Sequence, residues 1–145
     1  MPAATHPPLL DSFIAHLAES DQRVTSPRLE VAKAIAQRGS HFTAEEIRAA
    51  LPSVGRATVY RNIKLLAEMG YLCRVLLEDG SLHYQVSHRG HHHHLICTGC
   101  GIAQDLLGCD IHDLLRTRAG DSGFAVSGHW LEVYGLCRQC QPQAP

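Results

Sequence analysis

The sequence predicts an α+β chain in two parts, an N-terminal winged helix-turn-helix followed by a small unit tied together by a four-cysteine zinc site. Three observations carry that expectation. Segments with apolar residues at helical spacing fill residues 9–70, an apolar pair of runs with a Glu78-Asp79-Gly80 turn follows, and two Cys-x-x-Cys pairs bracket most of what remains.

The first helix is read from Leu9, Phe13, Ile14 and Leu17, whose spacing puts one apolar stripe on an amphipathic segment ending near Glu19 to Gln22. The second is announced by Ser26-Pro27, a capping residue with proline at the first helical position, and continues through Leu29, Ala32 and Ile35 to a stop at Gly39. Thr43-Ala-Glu-Glu46 has the form of a capping box and opens a third helix, with Ile47, Ala50 and Leu51 inward, that runs until Pro52. A fourth places Val59, Ile63, Leu66 and Met69 on one side and is closed by Gly70. Its other side carries Ala57, Tyr60, Arg61 and Lys64 as an exposed polar stripe. An α-helix fits the major groove, where Arg and Lys neutralise phosphates or read guanine edges and Tyr or Ala can touch a thymine methyl. Leu72 to Leu77 and Leu82 to Val86 then read as a hairpin, the wing.

Charge divides the same way. The formal net charge is −1, but residues 1–74 carry nine Lys/Arg against seven Asp/Glu, while residues 75–145 carry four against seven. The excess of cations falls on the half with the recognition stripe, which favours an anionic partner there. No run of about 18 apolar residues occurs, and Met1 to Leu10 lacks the basic start and apolar stretch of a signal peptide, so a cytoplasmic chain without membrane association is expected.

The second half is dominated by metal-binding residue types. Of eleven histidines, eight lie between His83 and His129, and four of the six cysteines form the pairs Cys97/Cys100 and Cys137/Cys140. Two residues between thiolates let both sulfurs reach one zinc from a tight knuckle, and two knuckles complete a tetrahedral site. Disulfides or redox pairs are the competing reading, disfavoured by a reducing compartment and by having two equivalent pairs. The 36 intervening residues must form a small domain, whose far end the zinc ties back to its start.

His91-His-His-His94 leads into Leu95-Ile96-Cys97 as a strand, so His92 and His94 point to one face and His91 and His93 to the other. Neutral imidazole is a common transition-metal ligand, and one stretch can therefore feed two sites. Asp110 to Arg118 has helical spacing in Ile111, Leu114 and Leu115, and Phe124-Ala-Val126 followed by Trp130 to Leu136 reads as closing strands. Taken alone, His112 and His129 read as packed or surface histidines, and Cys109 as a structural thiol.

Along nearly the whole chain the residues resemble the ferric uptake regulator family, most like its zinc uptake branch. The resemblance is carried by Arg23-Val-Thr-Ser-Pro-Arg28, by Thr58-Val-Tyr-Arg61, by His91-His-His-His-Leu-Ile-Cys-Thr-Gly-Cys100 and by Gly135-Leu-Cys-Arg-Gln-Cys140. It implies a metal-dependent repressor, not an enzyme, that binds inverted-repeat operator DNA as a homodimer. Residues 1–85 would be the winged-helix DNA-binding domain, 86–90 a hinge, and 91–145 a small α/β dimerisation and metal-binding domain. DNA contacts would fall to Arg23 in the minor groove, Arg28 on the backbone, and Ala57, Thr58, Tyr60, Arg61 and Lys64 on the recognition helix.

The resemblance also implies three metal positions. Cys97, Cys100, Cys137 and Cys140 match a structural zinc site. His91, His93, His112 and His129 match a site in the dimerisation domain. A sensory site between the domains matches Cys73, His83, His92 and His94, with His41, Gln85, His88 and Asp105 as further candidates. Gln85 stands where iron sensors usually have a carboxylate, Cys73 lies where zinc-sensing relatives often place a ligand, and Ser87 occupies the place of a cysteine found in many zinc regulators. A thiolate beside imidazoles favours zinc as the regulatory ion, with ferrous iron the alternative. A zinc hydrolase is disfavoured because no His-Glu-x-x-His occurs, and a zinc-buffering protein would leave the recognition helix without a purpose.

Overall fold

The computed structural model describes residues 9–87 and 90–142, which fall into two compact units. The larger runs to Leu76 and resumes from Gly80 to the end of the wing; the smaller takes residues 77–79 and the chain from Gly90 onward. Residues 1–8, His88, Arg89 and 143–145 lie outside the description, and with them most of the signal-peptide reading, part of the hinge expected at 86–90, and the candidate His88.

The larger unit is a winged helix: α1 (Leu9–Glu19), α2 (Ser26–Ala36), α3 (Ala44–Ala50), α4 (Arg56–Glu68), then β1 (Leu72–Leu76) antiparallel to β2 (Leu82–Val86). The capping box forms as read. Thr43 Oγ1 accepts from the Glu46 N–H at 3.2 Å, and Glu46 Oε2 accepts from the Thr43 N–H at 2.6 Å, satisfying two donors at the start of α3. Helix α2 stops at Ala36, short of the expected Gly39: Gln37 still donates to the Lys33 carbonyl four residues back, but Arg38 donates to the Ile35 carbonyl only three back, a tighter turn that ends the helix. Gly70 (φ 80°) and Gly80 (φ 82°) adopt the left-handed conformation that ends α4 and turns the hairpin.

One apolar core closes this unit. Phe13, Leu17, Val31, Ile35, Phe42, Ile47, Val59, Ile63 and Leu66 are buried within it, and each such side chain contributes roughly 1.5–3 kcal/mol of transfer free energy. Tyr71 seals the junction of α1 with the wing, its ring edge-on to Phe13 and its hydroxyl donating to the Ser12 carbonyl at 2.7 Å. Phe42 and Tyr84 exchange both backbone hydrogen bonds, which adds the segment before α3 to the edge of the wing.

The smaller unit holds β3 (His92–Cys97), β4 (Ala103–Leu107), α5 (His112–Asp121) and β5 (Glu132–Gly135) in a sheet ordered β4-β3-β5. Strand β3 is antiparallel to β4 and parallel to β5, with His94 opposite Asp105 on one side and Glu132 on the other. Strand β4 carries no β-branched residue or clear alternation to announce it in the sequence. Two expectations need correction. Phe124 to Val126 is not a strand, since no neighbouring strand within the unit offers it a ladder partner among the described residues. Helix α5 runs His112–Asp121 and not from Asp110 to Arg118, and Leu114 and Leu115, whose spacing announces it, are exposed, with no residue of the helix buried.

Candidate metal centres and nucleic-acid face

The recognition stripe is present on α4. Ala57, Tyr60, Arg61 and Lys64 are exposed, while Val59, Ile63 and Leu66 on the opposite side anchor the helix in the core. The Arg56 guanidinium lies 5.3 Å over the Tyr60 ring, and the Tyr60 hydroxyl donates to Glu45 Oε2 at 3.1 Å, so the ring is held from two sides. Thr58, half-buried, accepts from Arg61 Nη2 at 3.5 Å. Arg28 donates from Nε to Asn62 Oδ1 at 3.1 Å and from Nη1 to the Arg23 carbonyl, and Asn62 donates on to the Thr58 carbonyl at 2.8 Å. Asn62, a buried amide that the sequence reading passed over, thereby fixes Arg28 against the recognition helix. With Arg61 and Lys64, Arg28 lines a groove beside α2 and α4, a cationic surface of the kind that engages phosphates.

In the smaller unit the four cysteines of the two knuckles converge, with their sulfurs within 4.8 Å of one another. Cys97 closes β3, and the turn to Gly101 (φ 76°) is pinned by the Gly101 N–H on the Cys97 carbonyl at 2.9 Å. The second knuckle follows β5 and repeats the device, with the Cys140 N–H on the Cys137 carbonyl at 2.9 Å. Sulfurs around a tetrahedral zinc with bonds of about 2.3 Å stand about 3.8 Å apart. The Cys100 and Cys137 sulfurs are separated by 3.8 Å. A Cβ on Gly99 would stand 2.9 Å from the Cys140 Cβ and 3.0 Å from its sulfur, so only glycine lets the knuckles approach this closely. The N–H groups of Cys137, Cys100 and Gly99 hold the Cys97 thiol down to about 6, preparing a thiolate, while hydrogen bonding to the other three sulfurs pushes Cys140 up to about 12. The residues fit a structural zinc.

A second cluster forms on the other side of the histidine run. As the strand alternation requires, His91 and His93 share a face, and His129 joins them: its Nε2 lies 3.2 Å from His91 Nε2 and 3.3 Å from His93 Nε2. Burial, then the neighbouring His91, holds both His93 and His129 below the usual imidazole range, which keeps them neutral and able to ligate. The fourth donor in this group is Cys109, whose sulfur is 3.2 Å from His129 Nε2. His112 stands next to the cluster, its ring centroid 5.6 Å from that of His129 and 6.4 Å from that of His91, and is not among its gathered ligand atoms.

The remaining candidates divide between the units. In the smaller, His92 and His94 share one face of β3, their rings edge to face with centroids 5.1 Å apart. His94 Nδ1 faces the Glu132 carboxylate at 3.1 Å, and its Nε2 lies 4.0 Å from Asp105 Oδ1. Glu132, which carries no sequence signal of this role, holds the His94 ring through Nδ1, and in turn accepts from Trp130 Nε1 at 2.9 Å. In the larger, the Cys73 sulfur on β1 faces the Gln85 carbonyl at 3.5 Å, and His83 on β2 meets His41 with their Nδ1 atoms 2.9 Å apart. The Phe42–Tyr84 bridge is what brings His41 to His83.

Known proteins resemble the chain in sequence and in fold. The sequence profile described as the ferric uptake regulator family matches residues 19–134. A peroxide-responsive repressor of Staphylococcus aureus is 29% identical over 136 residues, covering 91% of each chain. A zinc uptake regulator solved with zinc and DNA superposes with a TM-score of 0.76 at 26% identity, over 95% of this chain and 96% of that one. The Vibrio cholerae ferric uptake regulator superposes at 0.58 with 29% identity, over 85% of this chain and 98% of that one. A profile matching this much of the sequence makes the chain a member of the ferric uptake regulator family, a family of transcription regulators and not of enzymes.

Proposed function

We infer that this chain is a zinc-responsive repressor that binds inverted-repeat operator DNA as a homodimer. The donor set carries the reading: sulfur and imidazole predominate at every candidate centre, and soft donors favour zinc over ferrous iron. The higher TM-score with the zinc regulator than with the ferric regulator supports the same choice. The carboxylates of Asp105 and Glu132 beside His94 are the oxygen donors that speak for the alternative, an iron-responsive regulator.

In this reading residues 1–85 bind DNA through Arg23, Arg28, Ala57, Thr58, Tyr60, Arg61 and Lys64, residues 86–90 act as the hinge, and residues 91–145 dimerise. No helix among the described residues is long and apolar enough to cross a membrane, and the working compartment is the cytoplasm. Among the described residues, eleven of the fifteen exposed large apolar side chains belong to the smaller unit, including Leu107, Phe124 and Trp130, and a second copy is what would cover them.

Cys97, Cys100, Cys137 and Cys140 would hold the structural zinc, His91, His93 and His129 a second ion with His112 beside them, and Cys73, His83, His92 and His94 the sensory ion. A divalent cation supplies a bond that ligands from both halves can share. Cys73 and His83 belong to the winged helix and His92 and His94 to the dimerisation half, so joint ligation favours those arrangements in which both pairs face one point. Such selection shifts the population only in so far as the other arrangements bind more weakly.

The test is a mobility-shift titration of an inverted-repeat duplex under reducing conditions with zinc, ferrous iron, manganese and nickel in turn, on protein whose four-cysteine site stays loaded. Zinc should tighten binding most, and Cys73→Ser or His92→Ala should weaken that response while leaving a folded dimer by circular dichroism and sedimentation. Operator binding that is equally tight with the sensory ion removed would overturn the sensor reading. A preference for ferrous iron would move the chain to the iron branch.

A further inference from the structure

The cluster around His129 differs from the set that the family resemblance supplies. His91, His93 and His129 turn their Nε2 atoms toward one another, but the donor that completes the group is the sulfur of Cys109, and the four ligand atoms lie within 4.8 Å. With zinc–nitrogen bonds of about 2.0–2.1 Å, neighbouring nitrogens of a tetrahedral site stand about 3.3–3.4 Å apart, and a nitrogen and a sulfur about 3.5 Å. The nitrogen pairs here measure 3.2 and 3.3 Å and the sulfur–nitrogen pair 3.2 Å, close to that figure without any ion to organise them.

The placement comes from the loop after β4. Gly108 at φ 84° turns the chain back, and Cys109 follows it into the cluster, three residues before His112 opens α5. His129 Nδ1 is buried without a hydrogen-bond partner, so it is the Nε2 side, where the other three donors gather, that has groups to orient the ring. We propose that Cys109 is the thiolate ligand of a second metal ion in this unit, which makes the site one sulfur and three imidazoles instead of four imidazoles. The thiolate tilts the site toward zinc and cobalt and away from manganese and ferrous iron. The proposal concerns a centre other than the sensory one and stands apart from DNA binding.

The test uses the full chain carrying Cys73→Ser and His92→Ala, which leaves Cys109 as the one thiol outside the four-cysteine knot. Cobalt(II) is added to protein whose knot is confirmed by metal analysis to hold zinc, and the cobalt edge is read by X-ray absorption alongside the near-ultraviolet spectrum. The expected result is one sulfur and three nitrogens around cobalt with a sulfur-to-cobalt charge-transfer band. That band should vanish on adding Cys109→Ser and persist on adding His112→Ala. A cobalt shell of nitrogen and oxygen alone, a band lost with His112→Ala but kept with Cys109→Ser, or no cobalt uptake beyond the knot would each overturn the proposal. The X-ray result needs no Cys109 variant to fold.

Discussion

The two units of this chain are held together by different physics. The winged helix encloses a continuous core in which Phe13, Leu17, Ile35, Phe42, Ile47, Ile63 and Leu66 are fully out of water. The smaller unit buries Ile96 and Cys97 and otherwise fills its interior with polar side chains, His93 and His94, while Phe124 is 73% exposed and Leu107 68%. A domain this small cannot rely on apolar burial, and its alternatives are metal ligation and association. The comparison therefore teaches where each half's stability can come from: a hydrophobic core for one and, in the function proposed above, coordination at the four-cysteine cluster and a partner surface for the other.

The largest expected break in that contrast is removal of the structural zinc. Structural zinc contributes apparent free energies of about 10–16 kcal/mol in zinc-finger peptides, far more than two buried apolar side chains can replace. Cys137→Ser, or chelation at the four-cysteine site, should unfold the smaller unit while α1 to α4 persist, seen as retained helical circular dichroism with new protease cleavage confined to residues beyond Gly90. A single loss of all structure would show that the units do not fold separately.

The complementary break lies in the core. Ile63→Ala opens a cavity in a close-packed interior and should cost about 2–5 kcal/mol in denaturant unfolding of the helical signal. Zinc content should be unchanged, because all four sulfurs belong to the other unit. Smaller is the effect of Glu132→Gln, which weakens the carboxylate that orients His94. Metal affinity at the His94 centre should fall about tenfold to a hundredfold in a chelator competition, with the fold intact.

The finest test concerns the capping box of α3. Thr43→Ala should cost about 1 kcal/mol. The Thr43 N–H, and then its hydroxyl, holds the Glu46 carboxyl below its ordinary value of 4.5, so the stability due to that carboxylate is full above pH 4.5 and is lost as pH falls through the lowered value. A Glu46→Ala variant should accordingly be less stable than the parent near neutrality, and the gap should close in acid. A gap that stays constant from pH 7 to about pH 3 would show that the box works through packing and not through charge.

Much of this arrangement is written in local residue patterns. The capping box, the proline after Ser26, the glycines at 70 and 80 and the apolar stripes of α1 to α4 each act over a few residues, so their effect can be read without knowing the fold. The two Cys-x-x-Cys pairs are likewise self-declaring, and the alternation of a strand separates His91 and His93 from His92 and His94 before any contact is known. Strand β4 and the end of the smaller unit were harder. Ala103 to Leu107 carries neither clear alternation nor β-branched residues, and Phe124 to Val126 has the composition of a strand but pairs with no strand among the described residues.

What the sequence by itself determined is thus the winged helix, the four-cysteine knot and the splitting of the histidine run, because short-range stereochemistry and ligand spacing act along the chain. What only the tertiary structure decided is which distant groups meet: Asn62 holding Arg28, Glu132 aiming His94, and Cys109 in place of His112 beside His129. Those pairings join residues 20 to 38 positions apart, set by sheet order and by where each loop turns, and a lone cysteine or glutamate carries no periodic signal to announce them.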